Sequence, residues 1–417
     1  MPVVLLVCPT MWDEAELPAA AARAGMHVEM YGTDVSEHPE TFDALEFIDR
    51  AVREFRGRGI AGVLASDDYP GSIVAAAIAR ELGLPGPDPG VLLRCQHKFY
   101  SRLDQREAWR DAVPEFKLID PRDVLDVSRQ LTYPVFVKPV KSFFSVLAER
   151  VDSGAELASL AWRAGYHVRE FVRPFNQLLE RYTSLDWNGG YLLVEELLHG
   201  AQVTVEGFVH AGAISIVGVT DSVMYPGTMS FQRFEYPSSL PGDVLLQMRV
   251  IAESVVEAIG LDEWMFNIEM FHDPVTGRVS IIEMNPRMCP QFADLVEKVD
   301  GVNTYDMALA LAAGRDPPWP WPVPGRHAVA ASFALRRFED AVVRRVPSAG
   351  ELDAVRTRFP DARVKVLCRE GHRLSEELQD GKSYRYAVVN VGAATRADLL
   401  EASAEIERML GFEFTAV

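Results

Sequence analysis

The chain has 417 residues, with 42 Lys and Arg against 60 Asp and Glu and a formal charge of −18. So large an acidic excess excludes a general nucleic-acid binder, which needs cations to neutralise phosphates. Hydrophobic residues at 48% and charged ones at 24% exclude wholesale disorder, and a chain of this length buries about three quarters of its surface in two or three cores.

No apolar run reaches the roughly 18 residues of a membrane span, and Met1–Val7 lacks the basic start of a signal peptide, so it reads as a first strand and no membrane partner is expected. Cysteines at 8, 95, 289 and 368 are too far apart for a Cys-x-x-Cys site. Reduced thiols in the cytoplasm are the expectation. Val3–Val7, Met26–Tyr31 and Gly59–Ala65 read as strands, and Leu17–Ala24, Thr41–Arg56 and Ser72–Leu82 as helices between and after them. That alternation predicts parallel βαβ units. Ligands of such sheets sit at the C-terminal strand ends, so Asp67 and Asp68 after the third strand line a ligand site or cap the following helix.

A mostly helical unit follows from about Val91 to Pro121. Then come strands Tyr133–Pro139 and Ser145–Val151, a helix near Gly154–Ala164, and strands Tyr191–Leu198, Val203–Val209 and Ile214–Thr220. Hairpin-like spacing predicts an antiparallel sheet with helices on one face. Gly301–Gly314 is a helix, and the Pro-rich Arg315–Gly325 cannot be a regular element. The last segment has strands near Ala328–Leu335, Arg363–Cys368 and Tyr384–Val391 and a helix at Thr395–Met409.

The most informative stretch is Met265–Arg287, two apolar strands around the breakers Asp273-Pro274 and Thr276-Gly277. A turn centred near Val275 puts Glu269 opposite Ile281 and diagonal to Glu283, about 7 Å away. Alternation places Glu269, Glu283 and Asn285 on one face. Buried carboxylates side by side are costly, and a divalent cation removes the objection; oxygen-only donors favour Mg²⁺ or Mn²⁺, ions that bridge substrate phosphates. Arg287 would stand beside the metal and offer its fork to a carboxylate or phosphoryl oxygen, or else pair with Glu283. Lys138 ends an apolar strand, where an ammonium needs an anion such as a phosphate. Lys98 heads a helix, and a solvated surface role fits it as well.

In order, these segments resemble the ATP-grasp superfamily, in the branch of carboxylate–amine ligases that includes biotin carboxylase and the bacterial L-amino-acid (dipeptide) ligases. The likeness rests on Leu82-Gly83-Leu84-Pro85-Gly86, Lys98, Lys138, the Val194–Leu198 hinge, Val205–Val209 and Ile282–Arg287. It implies an α/β and α+β chain: an N-terminal parallel βαβ domain (1–92), linker helices and a small lid subdomain (93–190), an antiparallel catalytic core (191–324) and a C-terminal subdomain (325–417). It implies that Lys98 and Lys138 hold the ATP phosphates, and that Glu195 with the backbone of Glu196 and Leu198 bonds the adenine edge. Glu269, Glu283 and Asn285 would hold Mg²⁺, Arg287 would face the acyl phosphate or substrate carboxylate, and Glu206 would lie near nucleotide and metal.

Two departures stand out. The family's glycine-rich phosphate loop reads Pro139–Ser145 here, leaving backbone amides and the Ser142 and Ser145 hydroxyls as donors. Gln202 stands where relatives place a carboxylate for the ribose. Within Asp221–Tyr236, read as a loop, Tyr225 and Arg233 are candidate substrate contacts. The resulting expectation is an ATP- and Mg²⁺-dependent ligase acting on small carboxylates and amines through an acyl phosphate, with amino acids as substrates and a homodimer as one arrangement. A biotin-type carboxylase and an inactive nucleotide-binding subunit are the rivals.

Overall fold

The computed structural model describes residues 1–33, 42–142, 147–319, 324–377 and 382–417, the side chains of 166–170 excepted. Val3–Val7, His27–Tyr31 and Ile60–Leu64 form a three-stranded parallel sheet with the first strand in the middle. Val4 to Val7 are wholly buried, as a central parallel strand requires when helices cover both faces. Those helices are Asp13–Ala24, Ala44–Phe55 and Gly71–Leu82. Asp43 caps the second through Leu45 N and Glu46 N. A Cβ on Gly62 would lie 1.9 Å from the Ala312 carbonyl, so glycine lets the third strand pack against helix Thr304–Ala312.

An antiparallel four-stranded sheet runs in the order Phe116–Ile119, Leu192–Glu196, Val135–Pro139, Glu149–Val151. Helix Gly154–Phe171 buries Leu157 and Leu160 against it. Glu149 is where the strand expected from Ser145 begins among the described residues; Ser145 itself, with Phe143 and Phe144, lies outside them, as do residues 320–323 of the Pro-rich stretch.

The largest sheet has eight antiparallel strands, from Val279–Asn285 at one edge through Trp264–His272, Ala201–His210, Ala213–Met224, Phe231–Tyr236, Val329–Arg337 and Tyr384–Ala393 to Arg363–Val366. Helix Gly242–Ile259 buries Met248, Ile251, Ala252, Val255 and Val256 beneath it, the helical period of one apolar face. Strands after residue 325 thus continue the same sheet, with Phe333, Leu335, Leu399 and Ile406 in their core. The expected loop Asp221–Tyr236 is corrected: the β-branched and aromatic residues at its two ends extend strands on either side, and only Tyr225–Ser230 connects them.

Candidate active site

Trp264–His272 and Val279–Asn285 pair as a hairpin whose turn is fixed by Asp273, which accepts from Val275 N and Thr276 Oγ1 at 2.9 and 2.7 Å. Gly277 there has φ +73°, a conformation glycine adopts without strain. The register differs from expectation. Met270 pairs with Ile281, but a bulge follows and Glu269 pairs directly with Glu283, and Asn267 with Asn285. The turn centres half a residue later than the breakers suggested, and the bulge adds one more residue on the second strand. Cross-strand partners share a face, so Glu269, Glu283, Asn285 and also Asn267 converge.

Burial, with the charge of Glu283 behind it, pushes the Glu269 carboxyl up to about 7. Burial acts on Glu283 in the same direction, but the ammoniums of Lys98 and Lys138 outweigh it and hold that carboxyl below the usual range. Lys98 Nζ lies 3.4 Å from Glu283, which places it in the cluster rather than in solvent. Asn285 Nδ2 donates to Asn267 Oδ1 at 3.0 Å, leaving its own Oδ1 for a ligand. Gln202 Nε2 donates to Glu269 at 3.0 Å, so its amide serves the carboxylate pair.

Lys138 ends its strand under the hairpin. Its Nζ meets Glu195 at 2.7 Å and the Ile282 carbonyl at 3.4 Å, and burial pulls its pKa below the ordinary lysine value. Arg102, on helix Lys98–Ala108, meets the other Glu195 oxygen at 2.5 Å and the Ile282 carbonyl at 2.6 Å. Against the burial penalty, these two cations hold Glu195 down to about 2. Both Glu195 oxygens are thus engaged as an anchor for the cations, which leaves the side chain no free oxygen for an adenine edge. Glu196 N donates to the Glu115 carbonyl at 2.9 Å, and its carboxylate pairs with Arg278 at 2.9 Å. Leu198 is half-buried just past the strand end, and Ser142 is half-buried beyond Lys141.

The N-terminal sheet closes the site from the other side. Asp67 caps helix Gly71–Leu82 through Gly71 N at 2.9 Å, while Asp68 faces Lys141 at 3.5 Å and Arg287 at 3.6 Å. Asp67 thus takes the capping role, and Asp68 is left facing two cations. Arg287 pairs with Asp68, not with Glu283. Glu206 lies opposite Asn267, takes the Cys289 N–H at 3.2 Å on one oxygen and has no partner on the other; burial pushes it up to about 8. Tyr225 and Arg233 do not join this cluster. The Tyr225 hydroxyl donates to the Ala334 carbonyl at 3.0 Å, and Arg233 bonds Glu235 and Gln232 at 3.0 and 2.9 Å.

Residues 131–296, which hold this cluster's hairpin, hinge and strand lysine, match the family model of the ATP-grasp domain. That stretch is similar to an ATP-grasp domain. Over 320 residues, 73% of its length, it is 24% identical to the carbamoyl phosphate synthase large chain of Thermus thermophilus, and it spans 28% of that protein. The L-amino acid ligase of Bacillus licheniformis superposes with a TM-score of 0.79 at 16% identity, covering 100% of this chain and 99% of that one. The biotin carboxylase domain of the Hydrogenobacter thermophilus 2-oxoglutarate carboxylase, solved with MgADP, does so at 0.68 and 15%, covering 99% and 90%. At these identities the structural likeness is one of fold.

The hairpin suits a hard divalent cation. Among the described residues no three His, Cys, Asp or Glu side chains gather as a metal cluster; the donor set is two carboxylates with an amide oxygen, which favours Mg²⁺ or Mn²⁺ over Zn²⁺. A cation would also relieve the repulsion that raises Glu269. Reasoning from sequence missed Arg102, Lys141 and Asn267. Asn267 was legible, standing two residues before Glu269 on the same strand face. Arg102 and Lys141 lie in ordinary polar stretches, and only packing brings them inside.

Proposed function

We propose that this chain is an ADP-forming carboxylate–amine ligase that uses ATP and Mg²⁺ and joins amino acids. The observation that carries the reading is the meeting of Glu269, Glu283 and Asn285 with Lys98, Lys138 and Arg287 in one cleft. Lys98 and Lys138 hold the phosphates, and the hinge around Glu196–Leu198 borders the adenine. Glu269, Glu283 and Asn285 hold Mg²⁺, which when bound neutralises phosphate charge. Within the phosphate loop Pro139–Ser145, the Ser142 hydroxyl would add a donor to the phosphates, as would Ser145, which lies outside the described residues. Gln202 orients Glu269.

A substrate carboxylate attacks the γ-phosphorus, the bond to the β-phosphate oxygen breaks, and ADP leaves with that electron pair. An amine then attacks the acyl carbon, phosphate departs, and the amine's proton is released. Phosphoryl transfer asks mainly for positioning and charge neutralisation, and Arg287 supplies both to the acyl phosphate. Burial holds Glu206 protonated up to about pH 8, so the released proton passes to solvent, and Glu206 would donate a hydrogen bond from its unpartnered oxygen. No thiolate is needed: burial pushes the Cys289 thiol up to about 12.

The test is phosphate release with ATP, Mg²⁺ and pairs of amino acids. Release above background that depends on both partners, with a dipeptide detected by mass, is expected. Background release with every pair would overturn the amino-acid ligase.

A further inference from the structure

We propose that Asp68 and Arg287 together recognise one free α-amino acid, the ammonium at Asp68 and the carboxylate at Arg287. The inference rests on the ligase reading for the fate of that carboxylate, but not for its binding. Asp68 is placed by its backbone: its carbonyl accepts from Gln96 Nε2 at 2.7 Å and from Ser72 Oγ at 2.6 Å. Helix capping falls to Asp67, so that task does not explain Asp68. Nor does Lys141 depend on it. The Lys141 ammonium is held by Gln96 Oε1 at 2.7 Å and lies 4.5 Å from the centre of the Tyr69 ring.

The carboxylate oxygens of Asp68 make only long contacts. Lys141 and Arg287 stand 3.5 and 3.6 Å away, where a closed charge-assisted bond measures about 2.8 Å. Oδ1 receives no hydrogen bond and is shut off from bulk water, although the side chain as a whole keeps 28% of its surface. Burial opposes the charge on Asp68, yet Lys141, Arg287 and Lys98 keep the group ionised. An ionised carboxylate whose contacts are all long, Lys141 on Oδ2 at 3.5 Å included, has room for one strong donor.

An α-amino acid supplies it and fits the spacing. Its ammonium nitrogen and nearer carboxylate oxygen lie about 2.7 Å apart by standard bond lengths, roughly 0.9 Å less than the 3.6 Å between Arg287 and Asp68, so the two bonds splay slightly outward. One long internal ion pair is thereby exchanged for two short ones. The arrangement also sorts the two substrates. An ammonium bonded to Asp68 stays protonated and cannot attack, so the amino acid held here gives its carboxylate and a second one gives its amine.

The experiment is calorimetric titration of the whole chain, with Mg²⁺ and a non-hydrolysable ATP analogue present, by leucine, phenylalanine and alanine and by their des-amino counterparts isocaproate, hydrocinnamate and propanoate. At least one amino acid should bind, and Asp68→Asn should weaken it roughly ten- to a hundredfold while leaving its des-amino counterpart and the nucleotide analogue unaffected; Asp68→Glu should recover part of the loss. Binding by no amino acid, or an equal effect of Asp68→Asn on both members of a pair, overturns the proposal. If Asp68→Asn loses the nucleotide analogue as well, the wild-type comparison decides: equal affinity for amino and des-amino acids overturns the assignment, and a preference of the stated size upholds it. Asp68-dependent binding without ADP release would sink the ligase reading alone. ADP release from des-amino acids and amino acids at equal KM would sink this assignment alone.

Discussion

At the scale of single residues, the cleft sets charge against charge, and the consequences can be measured. Glu283→Gln changes charge and hardly shape, so it should abolish Mg²⁺-dependent turnover and leave the thermal transition within a few degrees of wild type; unchanged turnover would exclude a metal there. Arg287→Ala should lower kcat by roughly a hundredfold or more, the scale of losing one preorganised charge at the reacting group, with a smaller effect on nucleotide affinity measured by titration. Glu206 gives a pH test. Its folded pKa of about 8 stands above the ordinary 4.5, so between those values the folded protein holds a proton that the unfolded chain has released. Stability from this group is therefore full below pH 4.5 and is lost as pH rises through 8. In denaturant titrations across that window, Glu206→Gln should flatten the decline; an unaltered slope would show that Glu206 ionises normally.

At the scale of elements, three pieces meet on one buried anion. Glu195 comes from the hinge strand, Lys138 from its neighbour and Arg102 from helix Lys98–Ala108, and both cations also reach the Ile282 carbonyl at the hairpin bulge. All three side chains are at most 6% exposed. Removing one partner of such a group leaves uncompensated charge, so Glu195→Gln should cost about 3–5 kcal/mol in urea unfolding, more than its hydrogen bonds alone. A loss under about 1 kcal/mol, typical of an exposed pair, would contradict the picture. Arg278 ties the hairpin to the hinge through Glu196 and to the Asp111 and Val113 carbonyls. The hairpin was legible in sequence because its turn breakers and alternating strands are local. The bulge was not: the Ile282 carbonyl at it meets Arg102 and Lys138, which stand 180 and 144 residues away in the chain.

At the scale of the whole molecule, the cleft lies among three sheets. The parallel sheet supplies Asp68, the four-stranded sheet Lys138 and Glu195, and the eight-stranded sheet the carboxylates and Arg287. Strands Val329–Arg337, Tyr384–Ala393 and Arg363–Val366 continue that last sheet, beside strand Phe231–Tyr236. A chain ended at Pro324 would expose that strand's edge and strip the core around Phe333 and Leu335. It should be protease-sensitive and lack a cooperative thermal transition; a stable, nucleotide-binding product would show that the last segment folds apart from the rest. Cys8, Cys95, Cys289 and Cys368 form no disulfide with one another in this structure, and no described helix is long and apolar enough to cross a membrane.

What the sequence determined by itself was whatever depends on near neighbours along the chain. Apolar alternation and turn residues located the βαβ units, the hairpin and the shared face of Glu269, Glu283 and Asn285, because a strand's two-residue period is a local property. Tertiary structure decided the direct pairing of Glu269 with Glu283, the anchoring role of Glu195, the inward turn of Lys141 and the placing of Asp68 across from Arg287. Tyr225 and Arg233 were drawn away from the cleft for the same reason. A charged side chain's role is set by which opposite charge shares its burial, and the partners here lie tens to hundreds of residues apart.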